Sequence, residues 1–196
     1  MAADPKAARA RRAVVIGASA GGLSALSAVL KPLPRDFPAA VMAVIHLPPD
    51  RDSMIPALLA SACALKVVEA EDKMTAETGA VYFAPPDYHL LVELDGRLSL
   101  SSDDPVLFSR PSIDVLFESA ADAFGPDLTA VVLSGANEDG AAGARAVAAS
   151  GGRVIVQEPA GAYAPAMPQA ALDAAPGAHV LPLDAIAAEL SREVRA

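Results

Sequence analysis

The stretch Ala13-Val14-Val15-Ile16-Gly17-Ala18-Ser19-Ala20-Gly21-Gly22-Leu23 decides how this chain folds. It opens with apolar, partly β-branched residues, passes through a cluster of glycines, and leads into Leu23, Leu26, Leu30 and Leu33 at helical spacing. β-Branched residues favour strands and glycines permit cramped turns, so the order predicts a buried strand over Ala13–Ile16, a tight turn, and a helix over Leu23–Leu33. Ala40–Ile45 supplies a second apolar strand and completes a βαβ unit. Because Arg9, Arg11 and Arg12 precede it, the run imitates a secretory signal, but its glycines and serines interrupt any apolar helix. No segment reaches the roughly 20 apolar residues of a membrane span, and we expect a cytoplasmic protein with no membrane insertion.

Working outward, a helix is expected from about Asp52 to Cys63, with Met54, Leu58, Leu59 and Ala62 on one stripe, and a strand at Lys66–Glu69. Ala80–Ala84, His89–Leu94 and Arg97–Ser101 are short extended runs, and Asp95-Gly96 marks a hairpin turn. Pro111–Phe124 is an amphipathic helix with Ser109 or Ser112 at its cap. Strand Thr129–Leu133, helix Ala141–Ala149, strand Val154–Val156, a loop, strand His179–Leu181 and a helix from Leu183 to Val194 complete the pattern. The fold class is α/β: a doubly wound, mainly parallel sheet flanked by helices, with an inserted antiparallel hairpin. Residues 1–12 read as a flexible basic extension outside the core, and 13–196 as one domain.

A net charge of −9 excludes nucleic acid as a partner, since such a surface needs cations to displace phosphate counterions. Cys63 is the one cysteine, so it has no internal disulfide and no companion at metal-ligand spacing; it reads as a small buried apolar residue.

Chemistry is expected at the carboxyl ends of the strands, where open α/β sheets bind ligands. Gly17-Ala18-Ser19-Ala20-Gly21 fits G-x-S-x-G, a turn that pushes a serine hydroxyl outward beside the free N–H groups of a helix N-terminus. Taken alone, it is equally an ordinary glycine-rich turn that binds a phosphate or nothing. A dinucleotide site is disfavoured, because the G-x-G-x-x-G spacing is missing and the second strand ends in His46 rather than an acid. His46 falls at the same sheet edge as Ser19 and ranks first among the bases, ahead of His89 in the hairpin and His179 at the amino end of a late strand. The loop Ser134-Gly135-Ala136-Asn137-Glu138-Asp139-Gly140 brings two acids to that edge. Asp139 is either a helix N-cap or the carboxylate that orients His46, with Glu138 as the fallback.

These three loops, in this order, resemble the CheB-type chemotaxis methylesterase family from about Val14 to about Leu183. The likeness is carried by Ile16-Gly17-Ala18-Ser19-Ala20-Gly21-Gly22, Val44-Ile45-His46-Leu47, and Leu133-Ser134-Gly135 through Asp139-Gly140-Ala141-Ala142-Gly143. Further segments agree: Tyr82-Phe83-Ala84-Pro85-Pro86-Asp87-Tyr88-His89-Leu90-Leu91, Arg110-Pro111-Ser112-Ile113-Asp114-Val115-Leu116-Phe117 and Ala166-Met167-Pro168. The resemblance implies a serine esterase with Ser19, His46 and Asp139 as its triad, and Ala20, Gly21, Arg110 and Ala136 on the oxyanion or substrate side. It implies hydrolysis of glutamate γ-methyl esters on chemoreceptor-like proteins, with glutamine deamidation as a related activity and no metal or organic cofactor. Ala20 stands where the family often has threonine, and Glu138 adds a negative charge to the aspartate loop. With a dozen residues before the first strand, the receiver domain of full-length members is not expected here, which leaves regulation to a separate protein. A non-catalytic binding module of the same fold and a small-molecule carboxylesterase are the alternatives.

Overall fold

The structure, a computed structural model, describes residues 10–46 and 54–193. Among these the chain runs β1 (Ala13–Ala18), α1 (Gly22–Leu30), β2 (Ala40–Ile45), α2 (Ile55–Ala60), β3 (Lys66–Glu69), β4 (Ala80–Phe83), β5 (His89–Val92), β6 (Leu98–Ser101), α3 (Ile113–Phe124), β7 (Leu128–Val132), α4 (Ala141–Ala149), β8 (Arg153–Gln157), α5 (Ala166–Ala174), β9 (His179–Leu181) and α6 (Leu183–Glu193). Strands buried on both faces need no polar alternation. β1, β2, β4 and β7 are of this kind, buried at every residue. They form the middle of a sheet ordered β3-β4-β2-β1-β7-β8-β9, in which every pairing is parallel. The antiparallel pair β5-β6 stands apart from it.

Side chains of β1 divide by period two between the layers. Ala13 and Val15 face a core shared with Ile113 and Phe117 of α3, Val147 of α4 and Met167 of α5, and with Leu90 and Leu98 of the hairpin. Val14, Ile16 and Ala18 face the opposite core with Leu26 and Val29 of α1, Leu59 of α2 and Leu190 of α6. β1 has β2 on one side and β7 on the other, so the strand order reverses beside it. The carboxyl ends of β1, β2 and β7 therefore lie at one edge, at the switch point where ligands bind in open sheets. No helix among the described residues is long and apolar enough to cross a membrane.

Several expectations are corrected by packing. α1 ends at Leu30, and its buried stripe is Gly22, Ala25, Leu26, Val29 and Leu30, while Leu23 is exposed. α2 buries Ile55, Pro56 and Leu59, whereas Met54, Leu58 and Ala62 of the expected stripe face solvent; Asp52 lies outside the described residues. The expected loop after β8 contains α5, whose buried residues are Met167, Pro168 and Ala171. Ala10, expected in a frayed extension, is buried and donates its N–H to Ala76 O at 3.1 Å; residues 1–9 lie outside the described residues. Cys63 is half-buried rather than buried, and burial pushes its thiol pKa up against the pull of Lys31.

Gly17 sets how closely α3 approaches the sheet, because a Cβ there would drive into the side chain of Ile113, the first residue of that helix. Ile113 is β-branched at the point where the chain enters the helix and has little freedom to yield. Gly17→Ala is expected to destabilise the fold by about 1–3 kcal/mol through overpacking. Urea denaturation measures this directly, and an unchanged midpoint would show that α3 can retreat at no cost.

Candidate active site

Ser19 is the first residue after β1, half-buried, and its turn is closed by Gly22 N–H donating to Ser19 O at 2.8 Å. Gly21 has φ 76°, and a Cβ on it would come within 2.7 Å of Tyr163 Cβ, so only glycine fits. The turn is fastened to the loop after β7 twice. Ser19 N–H donates to Ser134 O at 2.9 Å, and Ser134 Oγ donates to Ala20 O at 2.7 Å. The Ser19 hydroxyl makes no hydrogen bond among the described residues, and the N–H groups of Ala20, Gly21 and Ala136 donate to none of their acceptors.

His46 directly follows β2, and its N–H donates to Ala18 O at 3.1 Å, which sets it beside the serine turn. Its imidazole Nε2 donates to Asp139 Oδ2 at 2.8 Å. The expected pairing of His46 with Asp139 is therefore formed, through Nε2, which leaves Nδ1 as the nitrogen with a free lone pair.

Asp139 is 0% exposed and accepts three more bonds. Ile113 N–H reaches Oδ2 at 2.8 Å, while Ser112 Oγ–H and Asp114 N–H each reach Oδ1 at 2.9 Å. The carboxylate thus sits at the N-terminus of α3, where free N–H groups and the helix dipole favour negative charge. It does not cap α4, whose N-cap is Gly140 with no side-chain bond. Burial by itself would raise its pKa, but hydrogen bonds from His46, Ile113 and Asp114, with the charge of His46, hold the carboxyl below its ordinary value.

Asp114 returns the arrangement: from the first turn of α3 it accepts Gly140 N–H at 2.9 Å and Gly143 N–H at 2.7 Å, both at the start of α4. Each acid serves the other's helix. Asp114 pays for its place, since burial, with the nearby charges of Asp139 and Glu118, outweighs those two bonds and raises its pKa from 3.8 to about 6. Sequence reasoning missed Asp114, although it lies three residues before buried Phe117 and so falls on the buried stripe of α3. Ser134 was missed as well, because its partners Ala20, Ala164 and Gln157 come from distant segments.

The remaining expected residues line the approach. Arg110, His46, Asp87, Phe108, Ser109 and Pro111 help enclose a cleft of about 180 Å³. The Arg110 guanidinium donates to Asp87 Oδ1 at 2.6 and 3.0 Å, to Ser102 O at 2.8 Å and to Asp103 O at 3.0 Å, so it chiefly braces the cleft wall. At the tip of that wall Val106 and Ser109 bond each other reciprocally, and between them Leu107 and Phe108 take φ of 48° and 62° with the Phe108 ring fully exposed. Ala136 and Glu138 are exposed on a neighbouring groove, so the charge of Glu138 faces solvent. His89 is buried at the foot of the cleft wall with both ring nitrogens engaged, and His179 lies on edge strand β9 near Arg153. No group of His, Cys, Asp and Glu among the described residues could hold a metal ion.

Fold and site together define an α/β protein with a serine turn, an imidazole and a buried carboxylate gathered at the switch point of a parallel sheet. The family model described as CheB methylesterase matches residues 14–190, and the chain belongs to that family. A protein of Leptospira interrogans named as a putative protein-glutamate methylesterase/protein-glutamine glutaminase is 43% identical over 175 residues, covering 89% of this chain and 91% of its own length. A Myxococcus xanthus protein-glutamate methylesterase/protein-glutamine glutaminase is 38% identical over 191 residues, but the match spans only 55% of that longer protein. The crystal structure of the Thermotoga maritima CheB methylesterase catalytic domain superposes with a TM-score of 0.89 at 33% identity, covering 93% of this chain and 98% of that one.

Asp114 makes a pH prediction. Its folded pKa lies above its unfolded one, so the folded state gains from the proton below about pH 4 and loses that gain as pH rises through about 6. Asp114→Asn keeps an oxygen for Gly140 and Gly143 without the charge. Its stability relative to wild type should therefore climb between about pH 4 and 6 and level off above, by about 1–3 kcal/mol. Asp139 titrates in both proteins and largely cancels. Urea unfolding of the pair across this range reads the difference, and a flat one would refute the assignment.

Proposed function

We propose that this chain is a serine hydrolase that removes methyl groups from glutamate γ-methyl esters on chemoreceptor-like proteins, with Ser19, His46 and Asp139 as its triad. The observation that carries the reading is the 2.8 Å bond from His46 Nε2 to a fully buried carboxylate, at the sheet edge where Ser19 leaves β1. With Nε2–H committed to Asp139, Nδ1 takes the Ser19 proton as Oγ attacks the ester carbonyl carbon. The oxygen of the tetrahedral intermediate then has the N–H groups of Ala20, Gly21 and Ala136 as donors; none of the three requires a polar side chain. Nδ1–H returns the proton to the departing methoxide, methanol leaves, and an acyl-serine remains. Water, deprotonated by the same nitrogen, hydrolyses it to a carboxylate and regenerates Ser19. Asp139 stays ionised throughout and stabilises the imidazolium. Glutamine deamidation follows the same course with ammonia as the leaving group.

No metal or organic cofactor enters these steps. Partners in this reading are chemoreceptors, met in the cytoplasm. That the Ser19 hydroxyl has no hydrogen-bond partner among the described residues favours the second reading, a non-catalytic module of the same fold; against it, catalytic hydrogen bonds in free enzymes are often loose and tighten only around substrate.

Methanol release from a methyl-esterified receptor fragment tests the proposal. Wild type should release methanol, and Ser19→Ala should reduce kcat by about 10³–10⁶-fold at equal folded concentration. Release that persists in Ser19→Ala, or none from either protein, would sink it; hydrolysis of small esters alone would redirect it to a carboxylesterase.

A further inference from the structure

His89 has no part in the chemistry above, yet it is 2% exposed and both of its ring nitrogens are used. Nδ1 lies 3.1 Å from the backbone N of Ser112, and Nε2 lies 3.1 Å from the carbonyl oxygen of Asp104. A backbone N–H can only donate and a carbonyl can only accept. Nδ1 must therefore be the bare nitrogen and Nε2 the protonated one, so the ring is neutral in a single tautomer. An imidazolium would set its Nδ1–H against the N–H of Ser112.

The two partners of His89 are the two ends of one segment. Between Asp104 and Ser112 the chain forms the cleft wall, with Pro105, Phe108, Ser109, Arg110 and Pro111 lining the cavity that His46 also lines. Ser112 is at once the N-cap of α3 and, through Oγ, a donor to Asp139 Oδ1 at 2.9 Å. One bond of His89 thus reaches one of the four donors to the Asp139 carboxylate, and the other pins the base of the wall.

We propose that His89 is a positioning residue with two separable tasks: accepting from Ser112 to hold Asp139 in register with His46, and donating to Asp104 to hold the cleft wall. The proposal rests on the reading of Ser19, His46 and Asp139 as the reacting groups. Because the two bonds use both ring nitrogens, the ring is fixed as a spacer between Ser112 and Asp104.

Two amide variants separate the tasks. In His89→Asn the side-chain oxygen falls near the Nδ1 position and keeps the Ser112 bond while the Asp104 bond is lost. In His89→Gln the amide nitrogen falls near the Nε2 position and keeps the Asp104 bond while the Ser112 bond is lost. With the methylated receptor fragment as substrate, His89→Gln should lower kcat by about 10–100-fold with KM nearly unchanged, the size expected for misplacing a reacting group's support. His89→Asn should raise KM several-fold and leave kcat within about threefold. Nitrogen-15 NMR of the imidazoles gives a readout that does not need activity. Wild-type His89 should show the neutral Nε2–H pattern near pH 7, and the His46 nitrogen shifts should move in His89→Gln but not in His89→Asn. An Nδ1–H or doubly protonated His89 would overturn the proposal, as would equal losses in both variants, which signify packing alone. Should wild type itself release no methanol, the catalytic reading fails, whereas the response of the His46 nitrogens still decides whether His89 positions the pair.

Discussion

A fully buried, ionised carboxylate is costly to build, and Asp139 holds the constraint on which the rest of this molecule depends. An isolated carboxylate in an apolar interior costs far more than one domain's net stability, so the charge survives there only if the fold supplies donors. It supplies four: one from the end of β2, and three from the entry to α3. The donors converge only if β2 and β7 flank β1 in parallel register and α3 lies close against β1 across Gly17. Asp114 closes the circuit by spending its own carboxyl on α4, so the two helix starts are interlocked by exchanged acids. Burial, joined by repulsion from the Asp139 charge, raises the proton affinity of Asp114 in consequence.

Much of this was legible from the chain because the central strands carry the strongest local signal a sequence can hold. Ala40–Ile45 was delimited as the structure has it, and β1 and β7 differ by only a residue or two at their ends. Continuous apolar runs survive in any environment that buries both faces, so their reading needs no knowledge of neighbours. Helical faces were read less well. Met54 and Leu58 are apolar but exposed, while Pro56 is buried, because the side that faces the sheet is chosen by where the chain arrives and not by which residues are most hydrophobic. α5 escaped notice because Pro165 and Pro168 look like loop punctuation, although proline is tolerated in a helix's first turn where N–H groups have no partner in any case.

The site divides along the same line. The expectation that Ser19, His46 and Asp139 share one sheet edge came from asking which residues follow the carboxyl ends of parallel strands, a question that topology answers. Asp114, Ser134 and the second role of Ser112 depend on hydrogen bonds between segments far apart in the chain, and such bonds leave no periodic trace. Asp139 shows the limit well. Its place before α4 suggested a cap for that helix, and it does meet the N-terminus of a helix, but of α3, which lies earlier in the chain and adjacent in space.

The turn at Leu107 and Phe108, between the pins at Asp104 and Ser112, supplies none of the carboxylate's donors. Two successive non-glycine residues in the left-handed region cost of order 1–2 kcal/mol each, so an ordinary Asn-Gly pair would make a more comfortable turn. The cost falls on a part of the chain whose replacement disturbs none of the donors to Asp139. Rim turn and buried carboxylate thus draw on different residues, so exchanging Leu107 or Phe108 reshapes the mouth of the cleft without removing a single bond to Asp139.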